Sequence, residues 1–281
     1  MKPGDSPFKL SIITATHQRA TALRDVALAS LLQQTDLDFE WVVINDGKDT
    51  DTRNLIQSTE LPFRHQYLEI DHPQAGFGLC IARNLGIETA NGEHICYLDD
   101  DNSLRPDCTA TLHTWFKQSP HSQFCLPQQW RRRDVIRNGQ VVKQGKPFVS
   151  PSPETTLNDL ITQQSLFDSN GFTHKRTGSP RWNPRYKIFC DYEFFLQCVS
   201  QCDHASEEQF FFIPEILVNY IQTTDGIIGQ SGYGEWAREL QQLYDQRLTY
   251  KGIKAEWANW MPQAIQKYQQ KSQVPLPAFT R

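Results

Sequence analysis

The stretch Glu93-His94-Ile95-Cys96-Tyr97-Leu98-Asp99-Asp100-Asp101-Asn102 runs from a short apolar segment straight into three consecutive carboxylates. An apolar run from Ile95 to Leu98 that ends in acids predicts a buried strand whose C-terminal end opens into a polar crevice. Carboxylates packed this closely repel one another unless a cation or a well-hydrated site compensates them. A divalent metal at the strand end is one reading, and a solvated acidic loop or helix N-cap is the other.

The residues before this stretch repeat a strand–helix alternation. Leu10 to Thr14 and Trp41 to Ile44 are β-branched apolar runs suited to strands buried on both faces. Between them, Ala22 to Gln33 places Leu23, Val26, Ala27, Ser30 and Leu31 at helical spacing, which predicts a βαβ unit with a right-handed crossover. A helix from Thr50 to Thr59, a strand from Arg64 to Ile70 and a helix from Leu79 to Ala90, closed by Asn91-Gly92, complete the alternation. In an open parallel sheet the ligand crevice lies beyond the carboxyl ends of the strands. Thr14 to Arg19, Asn45 to Gly47 and Asp99 to Asp101 all fall there.

Beyond Asp101 the pattern becomes mixed. A helix is expected near Asp107 to Lys117 and a strand from Gln123 to Gln129. A hairpin follows from Asp134 to Gln144, because Asn138-Gly139 is a strong two-residue turn. Lys146 to Arg185 is rich in Pro, Ser, Thr, Asn and Gly, as expected of long loops around a substrate site. Asp191 to Gln201 resumes a helical period, Phe210 to Ile213 and Ile216 to Tyr220 read as two short strands, and Glu235 to Leu248 and Ala255 to Gln270 read as amphipathic helices. The tail from Ser272 is expected to be poorly ordered.

The 281 residues, 38% hydrophobic and 21% charged, suffice for one large α/β domain or two small ones. A net charge of -4 gives no global attraction to nucleic acid or to anionic membrane. No segment approaches the roughly 20 apolar residues of a spanning helix, and Met1 to Lys9 lacks a secretory h-region, so a cytoplasmic location is expected. Seven cysteines are an odd count, and Cys80, Cys96 and Cys125 sit in apolar contexts that suit buried thiols in a reducing compartment. Cys198, Cys202 and His204 can be drawn as a zinc cluster, but their spacing falls along an expected helix.

The order of motifs resembles the family 2 glycosyltransferases of the GT-A fold, a large inverting group that includes spore-coat and polysaccharide enzymes. The resemblance spans Lys9 to Tyr220 and rests on Ser11-Ile12-Ile13-Thr14-Ala15-Thr16-His17-Gln18-Arg19, Val43-Ile44-Asn45-Asp46-Gly47, Ala82-Arg83-Asn84-Leu85-Gly86, Asn91-Gly92-Glu93 and Tyr97-Leu98-Asp99-Asp100-Asp101, in the family's order. It implies a mostly parallel central sheet flanked by helices, a small mixed sheet and C-terminal helices. The chain would divide into a GT-A domain over 1–230, with a nucleotide-sugar-binding half to about residue 115 and an acceptor half over 116–230, and a helical extension over 231–281.

The resemblance implies that Ala15, Thr16, His17 and Arg19 line the base and diphosphate, that Asp46 accepts a hydrogen bond from the base imide, and that Arg83 helps hold the donor. His17 stands where the family usually has Tyr. The last aspartate, Asp101, would bind Mn or Mg, with Asp99 and Asp100 serving ribose, metal or metal-bound water. A late His completes the metal site in many such enzymes, yet Asn219-Tyr220-Ile221-Gln222 lacks it, which leaves His204 as a candidate. Asp191 matches the family's general base at a helix start, and its other use is an N-cap. Glu193 is the fallback base.

Trp182, Tyr186, Phe194 and Phe195 are candidates for a sugar-stacking wall or for core. Arg131-Arg132-Arg133 would meet the diphosphate or an anionic acceptor, or form a solvated face. Trp236, Arg238, Trp257, Trp260 and Lys267 on the C-terminal helices would pack onto the domain or touch a membrane peripherally. The implied partners are a nucleotide-sugar donor, most simply UDP-linked, and a hydroxyl acceptor: a glycan, a lipid-linked sugar or a small molecule. A sugar-1-phosphate nucleotidyltransferase would need a Gly-rich phosphate loop, and Thr14 to Arg19 contains no glycine. A non-catalytic sugar-nucleotide-binding or scaffold protein of the same fold is the alternative from another class.

Overall fold

The computed structural model describes residues 10–176, 180–201 and 210–273. Strands β1 (Leu10–Thr16) and β2 (Glu40–Asp46) are buried at every position, as strands covered on both faces must be. Each pairs in parallel with its neighbours: β1 lies between β2 and β4 (His94–Tyr97), and β3 (Arg64–Ile70) lies outside β2. Their C-terminal ends therefore point the same way.

The helix over 20–31 (α1), with a π-helical stretch at Leu23–Leu28, connects β1 to β2. Helix α2 (Thr50–Ser58) is capped by the Asp49 carboxylate, which accepts from the Asp51 N–H at 3.0 Å. Helix α3 (Gly78–Thr89) returns the chain to β4. Gly78 is required where this helix starts, because a Cβ there would stand 1.9 Å from Asp46 Oδ2. After β5 (Ser103–Leu104) and α4 (Cys108–Gln118), the chain enters β6 (Phe124–Arg137), whose hairpin to β7 (Gln140–Lys143) turns at Asn138 and Gly139 with φ of 51° and 72°.

The expected loop region from Lys146 to Arg185 carries short elements: β8 (Phe148–Ser150), α5 (Leu157–Thr162) and β9 (Thr173–Lys175). Strand β9 runs antiparallel between β4 and β6 and so joins strands β1 to β4 to the rest of the sheet. Helix α6 (Cys190–Ser200) precedes β10 (Phe210–Thr223). The two short strands expected at Phe210 to Ile213 and Ile216 to Tyr220 are one strand, paired in parallel with β6 through two register shifts around Ile216. Bulges let the ladder continue past Pro214, which has no N–H to donate. Among the described residues the sheet order is β3-β2-β1-β4-β9-β6-β10-β5.

Alternate residues of the strands enter two cores. Ile12, Trp41, Val43 and Cys96 pack with Leu23, Leu31 and Leu112 on one face, and Ile13, Val42, Ile44 and Tyr97 pack on the other. The second core also takes α6 and the C-terminal helices α8 (Tyr233–Asp245) and α9 (Met261–Gln273), which follow the short α7 (Ile227–Gln230). Trp257 is buried, and Trp236 stands edge-on to Phe189 at 5.3 Å, so these tryptophans pack onto the domain. Ser272 lies in α9, and the expected disordered tail beyond Gln273 lies outside the described residues. No described helix is long and apolar enough to cross a membrane. Cys80, Cys96, Cys108, Cys125 and Cys190 are buried free thiols, and Cys198 is buried.

Candidate active site

Strand ends β1, β2 and β4 deliver their polar residues to one crevice. Thr16 donates to Asp100 at 2.7 Å, and Arg19 reaches Asp100 at 2.9 Å and Asp101 at 2.8 Å. Asp101 also accepts from Asn102 at 3.1 Å, and Asn102 Oδ1 accepts from the Ile221 N–H of β10 at 2.9 Å. Asp99 turns the other way. Its Oδ1 accepts from Arg83 at 2.6 Å, its Oδ2 accepts from Asn170 at 2.9 Å, and its N–H donates to Asn170 Oδ1 at 2.7 Å.

Burial, reinforced by repulsion from Asp101 and Asp99 and opposed by Arg19, pushes the Asp100 carboxyl up to about 7. Asp101 is raised for the same reasons. Asp100 and Asp101 thus concentrate negative charge on partly dehydrated oxygens, and the counter-charge paired with both is the half-exposed Arg19. Hard oxygen donors in that state suit a divalent cation, with Arg19 standing where such a cation would neutralise Asp100 and Asp101.

Arg83 is 2% exposed and links two parts of the molecule. One guanidinium nitrogen donates to Asp99 and the other to Asp191 Oδ1 at 2.9 Å. Burial works against its charge, but Asp99 and Asp191 outweigh that and raise its pKa further. Trp182 lies 4.2 Å beneath the guanidinium and stacks on Phe194 at 4.1 Å. Trp182, Tyr186, Phe194 and Phe195 are all buried, so the candidate sugar-stacking wall is core, and its contribution to the site is to support Arg83.

Asp191 stands in the first turn of α6, where Phe189 rather than Asp191 is the N-cap residue. The backbone N–H groups of Lys187, Ile188 and Phe189 donate to the Glu239 carboxylate at 3.0, 2.8 and 3.2 Å. A side chain from α8 therefore holds the segment that leads into the helix carrying Asp191. Asp191 is 31% exposed and borders a cavity of about 430 Å³ lined also by Arg132, Phe148, Asp168, Tyr220 and Trp236.

The fallback base Glu193 faces away from this cavity. It is buried, accepts from Gln197 and Tyr250, and burial pushes it up to about 7. Arg131 to Arg133 lie within β6 and border the cavity. Arg131 is buried, donating to Gln129 and to the carbonyls of Ser165 and Leu166, and Arg132 pairs with Asp134 at 2.8 Å. Only Arg133 is exposed, so the run as a whole is not a solvated face.

Asp46 ends β2 with its carboxylate against the start of α3. His72 Nδ1 lies 3.0 Å from Asp46 Oδ1, His17 Nδ1 contacts the Asp46 carbonyl, and the two imidazoles are 4.7 Å apart. Ala15 is buried in β1 just behind Thr16. His204 and Cys202 lie outside the described residues, so the late metal ligand and the zinc cluster drawn with Cys198 rest on sequence alone.

Sequence reasoning missed His72, Asp168, Asn170 and Glu239. Asp168 is buried among Gln129, Asn170 and Asp191, and burial with Asp191 repulsion raises it to about 6. A polar triplet, Asp168-Ser169-Asn170, between Phe167 and Phe172 was the available signal.

Residues 11–176, more than half of the chain, match the family described as Glycosyl transferase family 2. A chondroitin synthase of Pasteurella multocida is 35% identical over 102 residues, 36% of this chain, and the aligned part is 10% of that protein's length. Two solved structures share the fold at 15% identity. Staphylococcus aureus TarS 1-349 in complex with UDP-GlcNAc has a TM-score of 0.65 over 94% of this chain and 72% of its own. The mannosyltransferase PcManGT from Pyrobaculum calidifontis, in complex with GDP-Man and Mn2+, has a TM-score of 0.56 over 98% of this chain and 78% of its own. The ordered strand-end motifs, the crevice they build and these likenesses agree: the chain belongs to glycosyl transferase family 2 and has the GT-A fold.

Proposed function

We propose that the chain moves a sugar from a nucleoside diphosphate donor, UDP-linked, to a hydroxyl acceptor with inversion, and that Asp191 is the general base. The observation that carries this reading is the single buried guanidinium of Arg83, which holds Asp99 on the donor side and Asp191 on the cavity side. One displacement joins the two sides. The acceptor hydroxyl gives its proton to an Asp191 oxygen, its own oxygen attacks the anomeric carbon, and the bond to the diphosphate breaks with its electron pair leaving on the diphosphate.

Asp46 accepts from the base imide, His17 stacks beside the base, and Ala15, Thr16 and Arg19 line the ribose and diphosphate. Asp101 would hold a Mn or Mg ion, which Asp99 would share by turning an oxygen from Asn170, with Asp100 fixed between Thr16 and Arg19. When bound, such an ion supplies positive charge to the departing diphosphate. Arg83 keeps Asp191 oriented, and the cavity beyond Asp191 receives the acceptor. In this reading 1–115 is the donor half, 116–230 the acceptor half and 231–281 a helical extension. The complexes of TarS with UDP-GlcNAc and of PcManGT with GDP-Man and Mn2+ support the donor class and the ion as proposals for this chain.

Thermal denaturation against a panel of UDP- and GDP-sugars, with and without Mn or Mg, tests the reading. A donor at about 100 times its dissociation constant adds about 2.7 kcal/mol and raises the melting temperature visibly. A shift with one donor that needs the metal and disappears in Asp101→Ala is expected. No shift with any donor, in folded protein, contradicts it and favours a scaffold.

A further inference from the structure

We propose that His17, Asp46 and His72 form a second metal site, for an ion of the zinc class, at the mouth of the crevice. One ligand atom from each lies within 4.8 Å of the others, and among the described residues this is the group of three His, Cys, Asp or Glu side chains that meets that spacing. The acidic triplet does not, because its carboxylates diverge toward Arg83, Thr16, Arg19 and Asn102.

The donor set differs in chemistry from the triplet. Two imidazoles and one carboxylate favour zinc over magnesium or manganese, whereas an all-oxygen set favours the harder ions. Asp46 is fixed, since its Oδ2 packs where a Cβ of Gly78 would be. The Asp46 carbonyl engages His17 Nδ1, so a backbone oxygen orients the ring and leaves Nε2 as its second donor atom. Zinc–ligand bonds of about 2.0–2.1 Å put tetrahedral ligand atoms roughly 3.3 Å apart. The exposed rings of His17 and His72 need only swing together by about 1–1.5 Å around the fixed carboxylate to reach that spacing.

Asp46 is also the group assigned above to the base imide, so zinc and nucleotide exclude one another. That clause rests on the proposed function; the metal site does not. Calorimetric titration of Zn2+ into the metal-free full chain tests both. Asp101→Ala is expected to retain the binding, and His72→Ala and His17→Ala each to weaken it roughly tenfold or more. His72 is 56% exposed, so its variant should keep the wild-type melting temperature.

Unchanged zinc binding in both histidine variants, or its loss in Asp101→Ala, overturns the site. Saturating UDP should weaken zinc binding. Undiminished zinc binding beside measured UDP binding overturns the exclusion alone. Histidine-dependent zinc binding in a chain that binds no UDP upholds the site and overturns the donor reading.

Discussion

The proposed donor side and the proposed acceptor side of the crevice are built by different means. On the donor side the strand-end residues end or directly follow parallel strands and Arg83 lies on the helix that leads into β4, so Thr16, Asp46, Arg83 and Asp99 to Asp101 sit where local sequence puts them. On the acceptor side, positions are fixed at long range. Asp191 is oriented by Arg83 from α3, and the start of its helix is held by Glu239 from α8. The donor side is a property of the topology, and the acceptor side is a property of tertiary packing that brings the C-terminal helices against it.

That contrast is sharpest at Asp191. Asp191→Asn keeps an acceptor for Arg83 but removes the base, so transfer should fall by about 10²–10⁴ while donor affinity stays within a factor of about two. Steady-state transfer and donor calorimetry on the same variant check it. A loss of donor affinity as large as the loss of transfer would erase the division between the sides.

Arg83→Met breaks the link between them. Removing one partner of a buried ion pair costs about 3–5 kcal/mol, and the low end applies because Asp99 and Asp191 are 28% and 31% exposed. Urea denaturation should show that loss, and both donor binding and transfer should fall. A variant that loses transfer alone would mean Asp99 does not depend on Arg83.

Glu239→Ala probes the long-range support. Three backbone N–H groups lose their acceptor, costing about 1–3 kcal/mol. The expected signature beyond stability is a lower kcat with unchanged donor dissociation constant, partly restored by Gln, which keeps one acceptor oxygen. A fall in stability with kcat untouched would make the Glu239 anchor purely structural.

The smallest effect concerns pH. Glu193 titrates near 4.5 when unfolded and at about 7 when buried. Between those values the folded chain keeps a proton that the unfolded chain has released. Its contribution to stability is therefore greatest below about 4.5, declines as pH rises to about 7, and is level beyond, a change on the order of 2–3 kcal/mol. Melting temperatures at pH 5 and pH 8 should differ less in Glu193→Gln than in wild type. An equal difference would assign the pH dependence to other buried acids, of which Asp168 is one.

What was readable in the sequence follows the same division. The turn at Asn138-Gly139 was visible because turn chemistry is local. The strand-end carboxylates were visible because they interrupt apolar runs. The continuity of β10 through Pro214 was hidden, since proline reads locally as a strand break and only pairing with β6 overrides it. The aromatic residues near Asp191 looked equally suited to sugar or core, and their burial is decided by long-range packing, with Trp182 and Phe194 against Tyr97 and Phe195 against Phe124, Phe167 and Phe172. Glu239 reads locally as an ordinary helix acid. His72 sits in a loop, and only its approach to Asp46 across the strand ends gives it a role.

The most direct test of the central claim is calorimetry of the preferred UDP-sugar, with Mn2+ present, on Asp191→Asn and Asp101→Ala side by side. Expected is wild-type donor binding without transfer in the first, and loss of the metal-dependent binding in the second. Normal metal-dependent binding in Asp101→Ala, or absent binding in Asp191→Asn, would contradict the placement of donor and base on opposite sides of Arg83.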